Sequence, residues 1–306
     1  MTFTVGIKID VDTERGTRIG VPQLQAILKE FSVPATFLFS LGPDNTGRAI
    51  KRIFRPGFFQ KVQRTSVIST YGWRTLGNGV FWPGPHIGKR HEKIMREVEA
   101  DGHEVGIHTY DHTRWQDDIH KMSAAEVETE FNKATTEFAR VFGFPAQSAG
   151  AAGWQANANT LQAYDNHHLL YGSDTRGAYP FFPRVGEKKF ATLQIPTTLP
   201  TLDELLGRPE FPYETLAARY VQWLRLEQPN IFTIHAELEG MRHLEWFREI
   251  LSFFKQAGCH FSTLADIAKE TLLERSLVPV CELIQGEVPG RSGLLAKQDN
   301  IRESDS

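Results

Sequence analysis

Short β-branched and aromatic runs alternate with amphipathic helical stretches from Phe3 to about residue 275, and this alternation constrains the fold more than any other feature. Phe3–Ile9 reads as a strand, Pro34–Ser40 (PATFLFS) as a buried strand and His103–Ile107 as a third. Shorter strands are expected near Gln147–Gly150, Leu169–Ser173 and Leu193–Pro196, with IFTIHA at 231–236 and a last strand at 259–263. Between them, Val21, Leu24, Ile27, Leu28 and Phe31 fall near a 3.6-residue period, so Val21–Phe31 is a helix. His86–Ala100 is helical, and Ser123 with Glu126 makes a capping box for a helix to about Phe142. Further helices are expected at about Tyr213–Glu227, at 242–257 and from Leu264. Strands joined through helices pair in parallel, so residues 1–275 are expected to form a (β/α) barrel of about seven strands, complete or not. In such barrels the chemistry sits at the C-terminal ends of the strands.

Composition narrows the classes. With 306 residues and 41% hydrophobic side chains, one large core can form. Two cysteines exclude a disulfide scaffold, and a net charge of -3 makes the chain a poor nucleic-acid binder. The opening MTFTVGIKID has no basic stretch leading into an apolar one, and no window is apolar enough to span a bilayer. A cytoplasmic location is therefore expected. Residues 276–306 are expected to form an extension, with a flexible tail from about Glu287. No feature indicates an oligomeric state.

The charge is uneven. Residues 48–64, RAIKRIFRPGFFQKVQR, carry six basic residues and no acid, against 28 basic and 37 acidic residues elsewhere. Arg52, Arg55, Phe58 and Phe59 in this stretch are candidates for membrane contact, the alternative being amphipathic helices with a solvated basic face.

Three strand ends carry the chemistry. The first ends in Asp10-Val11-Asp12, two carboxylates on one face that repel unless a cation separates them. The third ends in His108-Thr109-Tyr110-Asp111-His112, where the four-residue spacing brings two imidazoles to one face of a helical turn. A late strand ends in His235. Asp12, His108 and His112 form a three-ligand set with a position left open, the catalytic form of a divalent site. Asp10 is then a base and His235 a proton donor, which suits metal-assisted hydrolysis of an amide. Asp111 is a candidate for orienting a histidine ring. Zinc suits two imidazoles and a carboxylate, while cobalt, manganese, nickel and iron stay open.

This pattern resembles the polysaccharide deacetylase family, whose fold is a distorted (β/α) barrel. Longer stretches resemble one branch of it: DVDTERGTRIGVPQL at 11–25, LGPDNTGR at 41–48, YGW at 71–73, SAGAAGW at 148–154, SDTRGA at 173–178, QIPTTLPTLDELLGR at 194–208 and TIHAELEG at 233–240. The likeness covers roughly residues 3–270. It implies Asp10 as base, His235 as acid, and Asp12, His108 and His112 as ligands of one divalent ion. It also implies hydrolysis of a formamide on an undecaprenyl-phosphate-linked arabinose to formate and an amino sugar destined for lipid A, conferring resistance to cationic peptides such as polymyxin. The protein would then work peripherally at the cytoplasmic face of the inner membrane, which favours membrane contact by residues 48–64. The alternatives are a deacetylase of another N-acylated sugar and a non-catalytic sugar- or lipid-binding barrel.

One departure stands out. The family's third motif sets an arginine against the catalytic aspartate, but SAGAAGWQ has none. Arg176 is the first candidate to replace it and Arg18 the second. Trp154 is expected either to stack on the sugar or to pack in the core. Glu237 would bind the sugar or orient His235.

Overall fold

The computed structural model describes residues 2–48 and 77–299. Among these residues the chain runs β1 (Thr4–Val11), α1 (Val21–Phe31), β2 (Thr36–Ser40), α2 (Ile87–Ala100), β3 (Glu104–Thr109), α3 (His112–Asp118), α4 (Ala124–Phe142), β4 (Ser148–Ala149), α5 (Ala158–Asn166), β5 (Tyr171–Gly172), β6 (Phe182–Val185) and β7 (Lys188–Lys189). It continues through β8 (Leu193–Gln194), α6 (Leu202–Leu205), α7 (Tyr213–Gln222), β9 (Asn230–His235), α8 (Leu244–Gln256), β10 (His260–Ser262), α9 (Leu264–Leu273), β11 (Val280–Gly286) and β12 (Leu295–Gln298).

β1 is the axis of the molecule. All of it after Thr4 is buried, with Val5, Ile7, Ile9 and Val11 on one face and Gly6, Lys8 and Asp10 on the other. β9 lies along one edge of β1, from Val5 to Asp10. The other edge is shared: β10 pairs with Thr4–Gly6 and β2 with Lys8–Val11. From β2 the sheet continues through β3, β4, β5 and β8, and every pairing is parallel. Just past β8, the Thr198 and Leu199 amides both donate to the Ile231 carbonyl at 3.1 Å, which turns the sheet back onto β9. This is the expected distorted barrel, with eight strands because β10 shares an edge of β1.

The helices cover the outside and bury one stripe each. In α4 that stripe is Val127, Phe131, Ala134, Phe138 and Val141. The Ser123–Glu126 capping box opens this helix, and Gly143, at φ 82°, ends it in the left-handed conformation that favours glycine.

The C-terminal segment differs from expectation. Through Asp299, the last described residue, it is not a loose tail: β11 and β12 make an antiparallel pair in a second sheet, ordered β12-β11-β6-β7. Cys281, Leu283, Leu295 and Ala296 are buried in it. Each strand brings only one or two apolar side chains to the core, too few to reveal a period, and the intervening VPGRSG has the composition of a surface turn. The pairing is with distant partners: the Arg176 amide donates to the Ala296 carbonyl (3.0 Å) and the Gln298 amide to the Arg176 carbonyl (2.8 Å).

Candidate active site

Asp10 is the buried penultimate residue of β1, and Asp12 lies one residue past the strand's end. His108 lies in β3, while His112 is the first residue of α3. The two histidines thus meet across a strand-to-helix turn, not on one helical face, with ring centroids 5.3 Å apart. Asp111 makes that turn by capping α3: its Oδ1 accepts from the Arg114 amide (3.0 Å), and its Oδ2 accepts from Asn45 Nδ2 (2.6 Å). These contacts give it the role of a helix cap in place of the expected orientation of a histidine ring.

Asp12, His108 and His112 converge. His108 Nε2 is 3.2 Å from Asp12 Oδ1 and His112 Nε2 is 3.4 Å from the same oxygen. One ligand atom from each lies within 4.8 Å of the others. Asp12 Oδ1, Asp10 Oδ1 and His108 Nδ1 are buried and make no hydrogen bond. The orphaned Asp12 Oδ1, set between two imidazole nitrogens, fits a divalent cation. Burial alone would raise the Asp12 carboxyl, but His112 and His108 outweigh it and hold the group well below the usual carboxylate range. Burial likewise opposes the charged form of His108, and Asp10 and Asp12 together reverse that and raise it.

His235 faces this cluster. It is the β9 partner of Asp10 in the β1–β9 register, and its ring meets the Trp154 edge at 6.3 Å between centroids. β9 stops at His235, so Glu237 does not continue along the strand face. Its Oε1 accepts from the Asp12 amide (3.1 Å), the Thr13 amide (2.8 Å) and the Thr13 hydroxyl (2.7 Å). Glu237 seats the loop that carries Asp12, and neither expected role, sugar binding or orienting His235, matches those contacts. Burial, with Asp12 adding to it, pushes its carboxyl far up. Gly16 is glycine because a Cβ there would collide with the same Oε1.

Glu239 was not foreseen. Its Oε2 accepts from the His235 amide (2.8 Å), while Oε1 is buried without a partner. Burial pushes its carboxyl up to about 8. The fold therefore favours the neutral acid. That contribution to stability is full below the unfolded value near 4.5, declines as pH rises, and is gone above about 8. Glu239→Gln should raise the melting temperature by several degrees at pH 8 and leave it nearly unchanged at pH 5. Equal shifts at both pH values in thermal denaturation would contradict this.

Neither arginine expected beside Asp10 is there. Arg176 bonds Glu204 and the Leu199 carbonyl (3.1 Å). The Arg18 side chain is 53% exposed and reaches Glu14. The cation at Asp10 is Lys8, whose Nζ is 3.5 Å from Asp10 Oδ2. The sequence signal was present: a lysine two residues before an aspartate on an apolar strand shares its face.

Trp154 is 2% exposed and donates from Nε1 to Thr197 Oγ1 (3.1 Å), so of its two expected roles it takes the buried one. Lys8, Arg176 and Arg291 lie over its ring at 5.5, 5.7 and 4.3 Å. Arg291 also bonds Glu204 (3.0 Å), Asp203 (3.0 Å) and Thr201 (3.1 Å). A lone arginine in a glycine–proline turn gives no sequence signal of such a place.

Arg52, Arg55, Phe58 and Phe59 lie outside the described residues. No helix among the described residues is long and apolar enough to cross a membrane.

The polysaccharide deacetylase family profile matches residues 12–172. A protein of Shewanella sediminis (strain HAW-EB3), "Probable 4-deoxy-4-formamido-L-arabinose-phosphoundecaprenol deformylase ArnD", is 36% identical over 297 residues, 97% of this chain and 95% of the relative. A protein of Wigglesworthia glossinidia brevipalpis with the same name is 34% identical over 292 residues, 94% of this chain and 99% of the relative. A crystal structure assigned to a polysaccharide deacetylase from Mycobacterium smegmatis superposes with a TM-score of 0.62 at 18% identity, covering 94% of this chain and 95% of that one. At that identity the likeness bears on the fold alone.

Proposed function

The chain belongs to the polysaccharide deacetylase family, and on that premise we propose that it is a metal-dependent amide hydrolase acting on a lipid-linked sugar. It removes the formyl group from 4-deoxy-4-formamido-L-arabinose carried on undecaprenyl phosphate. The observation that carries the reaction class is the convergence of Asp12, His108 and His112 beside Asp10 and His235. The substrate is inferred from the two relatives at 36% and 34% identity, each aligned over nearly its whole length.

A divalent ion held by Asp12, His108 and His112 would supply Lewis acidity to the amide carbonyl and to the attacking water. Zinc fits the donor set best, and cobalt, manganese, nickel and iron are compatible with it. Asp10 takes the proton from that water through Oδ1, the oxygen that carries no hydrogen bond. The water oxygen bonds to the formyl carbon, the C–N bond breaks, and His235 delivers a proton to the departing amine. The products are formate and a free amino sugar. Protonated at neutral pH and transferred to lipid A, that amine would offset phosphate charge and weaken the attraction for cationic peptides.

The decisive assay follows formate released from the lipid-linked formamido sugar by wild-type protein. Release that stops with chelator and returns with a divalent ion supports the reading. No release with metal supplied discards it.

A carrier lipid lies in a bilayer, so the protein must reach a membrane surface. Support comes from the six basic residues of 48–64 and from the neighbouring turn, where Phe81 is 77% and Trp82 45% exposed. That turn is tied to the site: Arg48 Nε donates to the Gly79 carbonyl (3.1 Å), and the neighbouring Asn45 donates to Asp111. Phe58→Ser with Phe59→Ser should reduce binding to anionic vesicles several-fold in a sedimentation assay while leaving the melting temperature intact. Unchanged binding would remove this segment from the reading.

A further inference from the structure

Lys8 is 0% exposed, on a strand whose opposite face is the apolar Val5, Ile7, Ile9 and Val11. Burying an ammonium is costly, and a leucine or methionine would fill the same space. Its ammonium has three partners: it donates to the Ser173 carbonyl (2.8 Å), pairs with Asp10 Oδ2 (3.5 Å) and lies 5.5 Å from the centre of the Trp154 ring.

The space it occupies is made by β4. A Cβ on Gly150 would sit 3.3 Å from Lys8 Nζ and 2.5 Å from Leu38 Cδ1. Gly150 begins GAAGW, the strand end that lacks the family's arginine, and its bareness leaves the room that Lys8 fills from the neighbouring side. Asp10 is thereby held by Oδ2, while Oδ1 makes no hydrogen bond and lies 3.8 Å from His108 Nδ1.

We infer that Lys8 is the positioning residue for Asp10, a strand β1 cation serving where the end of β4 supplies none. The inference rests on the amide-hydrolase reading, in which Asp10 takes a proton. Lys8→Met should lower kcat about 100-fold, the scale of a misplaced reacting group, with KM and bound divalent ion unchanged. In an Asp10→Asn background the same substitution should cost nothing further, because Lys8 acts through Asp10. A wild-type kcat in Lys8→Met, or equal losses in both backgrounds, would overturn the inference. Should Lys8→Met fail to fold, Lys8→Ala refolded with n-propylamine reads the same point. Rescue by the amine and not by 1-propanol supports it; rescue by both, or by neither, does not. A wild type that releases no formate defeats the substrate reading alone. A crystal structure of Lys8→Met still decides about Lys8: a turned Asp10 carboxylate supports the role, and an unmoved one refutes it.

Discussion

His108→Ala is expected to abolish formate release and to lose the bound divalent ion with it. The imidazole supplies one of three ligand atoms, and Asp12 Oδ1 makes no hydrogen bond that could hold it in place afterwards. Losing even an outer partner of a metal ligand costs roughly 10–100-fold in affinity or activity, so losing the ligand itself should cost more than about 100-fold. Metal analysis of the purified variant and a formate assay check the two halves separately. Chelation of the wild type should mimic the variant, but added divalent ion should restore only the wild type. A His108→Ala protein that retains its ion and its rate would dismantle the site as described.

Asp10→Asn is expected to behave differently, keeping the ion and losing the rate. Asparagine has nearly the same shape and can still meet Lys8 through its oxygen, but it cannot take a proton. General-base catalysis contributes about 10²–10⁴-fold, so kcat should fall by that range with little change in KM. Stopped assays over long times measure such residual rates. Loss of the ion in this variant would instead make Asp10 a ligand, and a wild-type rate would move the base elsewhere.

The barrel was legible because its long elements announce themselves. α1 and α4 carry clear apolar stripes, and α4 has both a capping box and a terminal glycine. β4, β5 and β8 were located but shrink to two paired residues each, since a strand closing a distorted barrel leaves its neighbours after a step or two. The five polar residues at strand ends were legible for a similar reason: position after a strand, combined with residue type, is a local signal. What surrounds them is not local. Glu237 is bound to Asp12 and Thr13 across more than 220 residues of chain, and Arg291 reaches Trp154 from a turn that looked loose. The cation beside Asp10 was expected to be Arg176 or Arg18, whereas Lys8, two residues earlier on the same face, pairs with it. Trp154 was open between stacking on the sugar and packing in the core, and its burial and contacts with Thr197 and three cations place it in the core.

The pairing of β1 bears on how the protein is made. Its neighbours come from distant parts of the chain: β2, on half of one edge, is available early, whereas β10, on the rest of that edge, and β9, on the whole of the other, are translated late. All three residues proposed to hold the ion have left the ribosome once residue 112 has, yet Glu237, which seats Asp12 and Thr13, has not. During synthesis the first strand therefore waits with one edge bare, and contacts of such sequence separation form slowly. A nascent chain holds its ligand trio on an unsupported loop, so firm capture of the ion and the arrival of His235 belong to the same late event. Premature termination between residues 112 and 237 yields a chain with the trio and without its seat, so the site is completed only after most of the barrel has been translated.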